Sequence, residues 1–318
     1  MKKTMALILI FLLMFTLLTG CKKKVTVSDP IPNAPEDNKK VEEAGEEEKE
    51  TIMNEFTELV KNGSNPTNIL KFIDENIGRL SQIEGDIMLD SLEEVLRDNM
   101  EPATDRILSL DKDGELIGIA GSEFFFPQDK ISEIKNKELK EEVAKLLESN
   151  YKFINLEGAF YPIIDYAKLK TYKNISEEWK DYLSIKAMDS DNPPFADGGM
   201  LISFDELAER IIKIEGYLNN YVDGQRKDEM LDDYRNKLNL YLKGTPNTPI
   251  IDQGSKKILE DVLESYEKTS NFEGYITSVT LQSYIQEIKN NKNIIDKKMF
   301  EKADALVAEA IEMLTEFK

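Results

Sequence analysis

Apolar residues recur every three or four positions along most of the chain after residue 48. This spacing places them on one face of an α-helix, whereas alternate residues share a face in a strand. The clearest stripes are Ile69–Leu70–Ile73–Ile77, Leu207–Ile211–Ile214–Leu218, Met230–Tyr234–Leu238–Tyr241, Ile258–Leu259–Val262–Leu263–Tyr266 and Met299–Ala303–Leu306–Ala310–Leu314. Helices without strand–helix alternation predict an all-α domain over residues 48–318, either a helical bundle or an irregular array of helical hairpins.

Capping signals mark where several of these helices begin. Asn65 followed by Pro66 is typical of an N-cap and a first helical residue. Ser203 and Glu206 have the spacing of a capping box, in which each side chain bonds to the other residue's backbone N–H. Asp296 stands before the last stripe and is expected to cap it. These signals support the helical interpretation independently of the apolar spacing.

One segment, residues 106–119, departs from the helical pattern. Two short apolar runs flank Asp113-Gly114, a dipeptide typical of β-hairpin turns. The pattern predicts a small β-hairpin there, or else an irregular loop. A single hairpin is marginally stable by itself, so it would have to pack on helices.

The start of the chain has a different pattern. Lys2 and Lys3 precede an apolar run from Met5 to Leu18 that only Thr16 interrupts. A charged region followed by a short apolar one is typical of a secretory signal peptide, here residues 1–20. The run is shorter than the roughly 20 apolar residues that a membrane-spanning helix needs.

The apolar run ends at Leu18-Thr19-Gly20-Cys21, which resembles the lipobox of bacterial lipoproteins. The resemblance implies a diacylglycerol on the Cys21 sulfur, cleavage before Cys21, and residence on the extracytoplasmic face of the cell membrane. Cys21 is the only cysteine, so no intrachain disulfide can form, and acylation would remove an otherwise reactive thiol. The alternative is an uncleaved anchor helix with a chance cysteine.

Residues 21–47 are predicted to be a lipidated, disordered tether. Pro30, Pro32 and Pro35 and many charged residues leave this segment too few apolar side chains to fold. Lys22–Lys24 either lie near anionic headgroups or are simply a polar flank. The tether would hold the helical domain away from the membrane surface.

The chain is strongly acidic, with 41 Lys and Arg against 61 Asp and Glu and a net charge of −20. Cleavage before Cys21 would remove two lysines and make the net charge −22. Such a chain repels the phosphates of nucleic acid and of anionic lipid, so nucleic acid is not an expected partner. The expected contacts are the membrane, through the lipid anchor, and an envelope protein, peptide or polymer.

Several kinds of catalysis are excluded by composition. The chain has no histidine, and its single cysteine lies in the leader motif. Ser-His-Asp and Cys-His catalysis and His/Cys zinc sites therefore cannot form. Carboxylates remain, and Glu157 and Asp165 are the candidate catalytic pair because they lie in an apolar, aromatic segment. On a helix they would be roughly 12 Å apart, farther than glycoside hydrolysis requires. The alternative is a structural, hydrogen-bonded acid.

Two further features suggest binding. Aromatic residues are dense between 151 and 182, and Tyr161, Tyr166 and Trp179 are candidate residues for binding a sugar or peptide. Core packing explains the same residues without a ligand and is the favoured interpretation. The acids of the 189–197 loop could bind Ca²⁺ through oxygen ligands, although a turn is the alternative; they are Asp189, Asp191 and Asp197.

The sequence therefore favours a lipid-anchored binding or interaction module at the cell surface. A carboxylate-dependent envelope hydrolase and the solute-binding lipoprotein of a transporter remain alternatives. Glu-Gly follows an apolar residue at 84–85, 157–158, 215–216 and 273–274, the last three at a constant spacing. This pattern indicates either a repeat of helical hairpins or a coincidence.

Overall fold

The computed structural model describes residues 44–316, and these residues are mostly helical, as the apolar spacing predicts. Most of the α-helices have ten or more residues, and two are short. Their bounds are α1 Glu46–Lys61, α2 Pro66–Asn76, α3 Gln82–Leu110, α4 Glu115–Ala120, α5 Lys137–Glu148, α6 Tyr166–Leu169, α7 Glu177–Asp191, α8 Phe204–Asn220, α9 Lys227–Lys243, α10 Glu260–Thr269, α11 Ile276–Asn290 and α12 Lys297–Glu316. The predicted signal peptide, Cys21 and most of the tether lie outside the described residues, and α1 begins at Glu46, within the last two residues of the predicted tether.

Strands form three small antiparallel sheets of two strands each in the described part of the chain. They are β1 Tyr151–Leu156 with β2 Ala159–Ile164, β3 Phe195–Ala196 with β4 Gly199–Met200, and β5 Gly244–Thr245 with β6 Thr248–Pro249. Short 3₁₀ segments occupy Ile77–Arg79 and Gln128–Glu133. The strands are short insertions between helices, so the helices supply most of the core.

The predicted caps are confirmed in part. The side chain of Asn65 accepts the N–H of Asn68 at 3.0 Å, and Asp296 accepts the N–H of Met299 at 3.1 Å. Ser203 accepts the N–H of Glu206 at 3.1 Å, but the Glu206 carboxylate bonds to Arg210 instead of returning to the Ser203 backbone. Half of that capping box therefore forms. A complete box caps α3, between Ser81 and Glu84.

The β-hairpin predicted over 106–119 is wrong. Helix α3 continues to Leu110, and Gly114, with φ +68°, precedes the short helix α4. Ile107 and Leu116 are buried at helical positions, and the Asp111 carboxylate accepts the N–H of Leu116 at 3.1 Å. Asp-Gly dipeptides supply a left-handed residue to many kinds of turn, and here that turn joins two helices.

A hairpin forms instead at residues 151–164, where β1 pairs with β2 from Tyr151↔Ile164 to Leu156↔Ala159. Both turn residues, Glu157 and Gly158, have positive φ (51° and 84°), as a tight two-residue hairpin turn requires. The Asn155 side chain accepts the N–H of Gly158 at 3.2 Å and holds the turn. The turn residues are Glu-Gly and not the Asn-Gly that is typical of such turns. The sequence therefore gives no clear signal for this hairpin.

Four Glu-Gly pairs occupy four different structures. They lie at the start of α3, in the β1–β2 turn, inside α8 and in the loop between α10 and α11. A true repeat would place them at equivalent positions, so their regular spacing is a coincidence.

Aromatic residues join the helices of the C-terminal part of the domain. Tyr241 of α9 packs against Phe204 of α8 and Tyr266 of α10, with ring centroids 6.1 and 5.0 Å apart, and Tyr266 packs against Tyr284 of α11 at 6.1 Å. The Tyr241 hydroxyl lies 2.8 Å from that of Ser265, and burial raises the pKa of Tyr241 to about 12. This aromatic core fixes α8, α10 and α11 around the groove described below.

Candidate functional site

A groove of about 830 Å³ opens between the C-terminal half of α8, the α10–α11 loop, the start of α11 and the end of α12. We call it the α8–α11–α12 groove. Its volume lies within the range of small-molecule and peptide pockets. Its apolar lining comes from Leu218, Val222, Phe272, Tyr275, Ile276, Val279, Met313 and Leu314.

The buried carboxylate of Glu215 holds one wall of the groove in place. Glu215 lies on α8, is fully buried, and accepts the backbone N–H of Thr277 at 3.0 Å and its hydroxyl at 2.6 Å. It also accepts the N–H of Ile276. The first N–H groups of a helix have no partner within the helix and carry partial positive charge. Glu215 satisfies two of them and so fixes the start of α11 against α8.

Three apolar side chains in the groove are exposed to an unusual degree. Val222 is 40%, Phe272 43% and Val279 53% exposed. In the described part of the chain seven large apolar side chains are exposed, and these three of the seven share one groove. Below them, Leu218 and Leu314 are buried and form the floor. Clustered exposed apolar side chains mark interaction sites, whereas scattered ones do not.

The rim of the groove is polar. Its amides are Asn219, Asn271 and Gln282, and its exposed acidic residue is Glu273. Gln282 donates to the carbonyl of Ser270 at 2.8 Å, which fixes the α10–α11 loop to α11. No lysine or arginine is among the residues that line the groove. The groove therefore combines an apolar floor with a neutral to acidic edge.

A second polar feature is a buried group of charged and tyrosine side chains, which we call the Glu93 cluster. Glu93 of α3 is fully buried. One of its carboxylate oxygens accepts hydrogen bonds from Arg97 at 2.7 Å and from the hydroxyls of Tyr166 and Tyr182 at 2.6 Å each. The other accepts from Arg226 at 2.7 Å. The full cluster comprises Asp90, Glu93, Arg97, Tyr166, Tyr182, Lys186, Arg226 and Glu229.

The charges of this cluster balance, with three carboxylates and three cations. Burial raises the pKa of Glu229, but Lys186 at 2.9 Å and Arg97 at 2.6 Å outweigh it and bring that pKa down to about 2. Burial and the adjacent carboxylate raise the pKa values of Tyr166 and Tyr182, so both hydroxyls remain donors. Both oxygens of Glu93 are engaged and its side chain is 1% exposed, so Glu93 is not available as an acid or base. The cluster ties α3, α7 and α9 together.

The predicted ligand-binding aromatics lie apart from the groove. Tyr166 is a buried member of the Glu93 cluster, and Trp179 is buried beside it. The Trp179 indole N–H donates to Gln225 at 3.2 Å, and the Arg226 guanidinium stacks over the indole at 5.0 Å. Tyr161 is partly exposed on β2, opposite Ile154. Tyr166 and Trp179 are therefore core residues, which is the alternative that the sequence left open.

The candidate catalytic carboxylates do not converge. Glu157 is exposed in the β1–β2 turn, whereas Asp165 follows the far end of β2. A strand rises roughly 3.3 Å per residue, so the two carboxylates are more than about 20 Å apart. The roughly 12 Å expected for a helix does not apply, because the segment is a hairpin. Asp165 is buried and lies 3.6 Å from Lys152 and 3.8 Å from Lys168. It is a structural acid.

The three acids proposed for Ca²⁺ are also separated. Asp189 pairs with Arg210 at 2.8 Å and Lys237 at 2.7 Å, and Asp191 pairs with Lys152 at 2.6 Å. Asp197 lies in the β3–β4 turn with φ +49°. Within residues 44–316, no group of three acidic or cysteine side chains is placed to hold a metal ion. Lysine and arginine side chains pair with Asp189 and Asp191 instead.

Sequence reasoning missed the groove because its exposed residues come from separate segments. Phe272 lies in the loop before α11, where no periodic pattern marks it. Val279 carried the one usable signal, since it lies off the buried face of α11 that Leu281, Tyr284 and Ile288 form. An apolar residue on the polar side of an amphipathic helix points to a contact beyond the domain.

No family model matches this chain, and neither a curated protein nor a solved structure matches it. Among the described helices, none is long and apolar enough to cross a membrane. The features that bear on function are therefore the groove and the N-terminal sequence.

Proposed function

We propose that this chain is a membrane-anchored extracytoplasmic lipoprotein whose helical body acts as a binding or interaction module at the cell surface. The single observation that supports binding is the α8–α11–α12 groove, where Val222, Phe272 and Val279 are exposed together. The lipobox-like Leu18–Cys21 supports the anchor. The membrane contact runs through the lipid, and the partner is an envelope protein, peptide or polymer.

The geometry favours binding over carboxylate catalysis. Glycoside hydrolysis needs two carboxyl groups within about 10 Å, and Glu157 and Asp165 are far apart. The Glu93 cluster is charge-balanced and closed by its own cations. Solute-binding lipoproteins usually have two α/β lobes, whereas the described residues form helices with two-stranded sheets. Neither alternative gains support.

Fatty-acid labelling tests the anchor. Cells that express the full chain or its Cys21→Ser variant would be grown with radioactive palmitate, and the protein would then be isolated. We expect label on the wild type alone, together with a mass that corresponds to cleavage before Cys21. Equal labelling of both, or an intact leader on the mature protein, would contradict the anchored location.

Site-specific photo-crosslinking in cells tests the binding role. A photoreactive amino acid at Val279 would lie in the groove, and one at Leu108, which is 37% exposed on α3, is the matched control. We expect a discrete cross-linked product from position 279 that position 108 does not give. The same products from both positions would argue against a specific binding face.

A further inference from the structure

The shape and the charge of the groove indicate which class of molecule fits it. Its exposed apolar side chains come from three segments: Val222 follows α8, Phe272 lies in the α10–α11 loop, and Val279 is on α11. A volume of about 830 Å³ exceeds that of one or two side chains. A ligand that fills it must present several apolar groups at once, as one face of an amphipathic segment does.

The surroundings of the groove are acidic. Glu273 is exposed in the lining itself, and Asp223, also exposed, follows Val222. On α12 the exposed Glu309 and Glu316 lie four residues before and three residues after Met313, so they share its side of the helix. On the adjoining face, Lys289 is already paired with Glu267 at 2.8 Å. Lys227 also reaches the groove, where it donates to the Val222 carbonyl at 2.7 Å. The four exposed acids outnumber it, so the field at the groove attracts positive charge.

These charges discriminate between occupants. Anionic lipid and nucleic acid would bring further negative charge to an acidic edge. A second copy of this acidic chain would do the same. A polypeptide whose apolar residues are flanked by lysine or arginine is complementary to the whole groove. Its apolar side chains would be buried on the floor, and its cations would lie beside the acidic residues at the edge.

We infer that the α8–α11–α12 groove binds an amphipathic, basic polypeptide segment, with its apolar side chains on Val222, Phe272 and Val279 and its lysine or arginine residues beside Glu273 and the acids of α12. The inference rests on the proposed binding function and names the class of partner. An exposed segment of a basic surface protein has this chemistry.

Titration with synthetic peptides tests the inference. The full chain would be reconstituted in phosphatidylcholine nanodiscs, with empty nanodiscs as the blank, so that no detergent competes for the groove. The probe is a rhodamine-labelled helical peptide of leucine and lysine, with leucine at positions i, i+3, i+4 and i+7. Its matched controls replace every lysine by glutamate, or scramble the order. Fluorescence anisotropy measures binding.

We expect the leucine–lysine peptide to bind at micromolar concentrations and the glutamate peptide to bind at least tenfold more weakly. Val279→Ser should weaken binding about tenfold, the effect of losing one well-buried aliphatic contact, and Leu108→Ser should leave it unchanged. Glu273→Gln should weaken binding of the basic peptide several-fold, mainly at low salt, because salt screens an exposed charge. Circular dichroism would confirm that each variant is folded.

Each other outcome overturns a defined part of the inference. Equal affinity for the lysine and glutamate peptides would refute the basic partner while leaving a binding groove in place. Equal losses from Val279→Ser and Leu108→Ser, or no binding of any peptide below about 1 mM, would refute the groove as a peptide site. Neither result bears on the anchor, which fatty-acid labelling tests separately.

Discussion

Replacement of Glu93 by glutamine removes one negative charge from the centre of the Glu93 cluster and preserves the shape of the side chain. Glu93 is fully buried and accepts four hydrogen bonds, from Arg97, Tyr166, Tyr182 and Arg226. In Glu93→Gln the amide oxygen can still accept from the tyrosines. The amide NH₂, however, would face a guanidinium, which is itself a donor.

The expected loss in the free energy of unfolding depends on which carboxylate partners Arg97 and Arg226 keep in the variant. Removing one partner from a buried ion pair costs about 3–5 kcal/mol. Arg97 keeps Glu229 at 2.6 Å, and Arg226 keeps Asp90 at 2.5 Å, so neither charge is left alone. We therefore expect the lower end, a loss of about 3 kcal/mol in the free energy of unfolding. For a domain of this size that corresponds to a fall in Tm of roughly 5 °C.

Urea unfolding followed by circular dichroism at pH 7 measures the loss. Glu94→Gln is the matched control, because Glu94 is the next residue of α3 and is exposed. The control should change the free energy of unfolding by less than about 0.5 kcal/mol. A loss below about 1 kcal/mol for Glu93→Gln, or equal losses for the two variants, would show that the cluster does not hold α3 to α7 and α9.

Three further outcomes follow from the structure. The pKa of Glu229 is lowered to about 2, so its ion pairs stabilise the fold fully above the unfolded pKa of about 4.5 and lose this effect as the pH falls towards 2. The urea midpoints measured at pH 3 and pH 6 should therefore differ less in Glu229→Gln than in the wild type. Gly85→Ala should destabilise the fold by more than about 2 kcal/mol, because its new methyl group would overlap the carbonyl of Asn174. Gly216→Ala, whose new methyl group meets no neighbouring element within 4 Å, should stabilise the fold by up to about 1 kcal/mol. Thermal unfolding measures both variants, and equal effects would refute this packing. Tyr284→Phe should leave stability unchanged or raise it by about 1 kcal/mol, because the buried Tyr284 hydroxyl has no hydrogen-bond partner among residues 44–316; a clear loss in urea unfolding would reveal one.

The helices could be predicted because their signal is local. The stripe of Leu207, Ile211 and Ile214 identifies α8 by its spacing alone, and all three residues are buried. Asn65 and Asp296 cap their helices as expected, since a capping bond reaches only two or three residues along the chain.

Turns were less predictable because one dipeptide serves several geometries. Asp113-Gly114 and Glu157-Gly158 both supply positive φ at glycine, yet the first joins two helices and the second closes a hairpin. The β1–β2 hairpin is further supported by the backbone of residues 124–126, where the N–H of Asn155 donates to Phe124 and that of Phe126 donates to Phe153. Such partners lie too far along the chain for local pattern to reveal.

The sequence by itself determined the helical class, the positions of five helices (α2, α8, α9, α10 and α12), the absence of histidine and disulfide chemistry, the acidic charge and the lipobox-like motif Leu18–Cys21. Each of these depends on composition or on neighbours within a few residues. Only the tertiary structure decided that Tyr166 and Trp179 belong to a core around Glu93, that Glu157 and Asp165 lie at opposite ends of a hairpin, and that Val222, Phe272 and Val279 meet in one groove. Those relations join residues tens of positions apart, and they arise from the packing of whole helices, which periodicity along the chain does not encode.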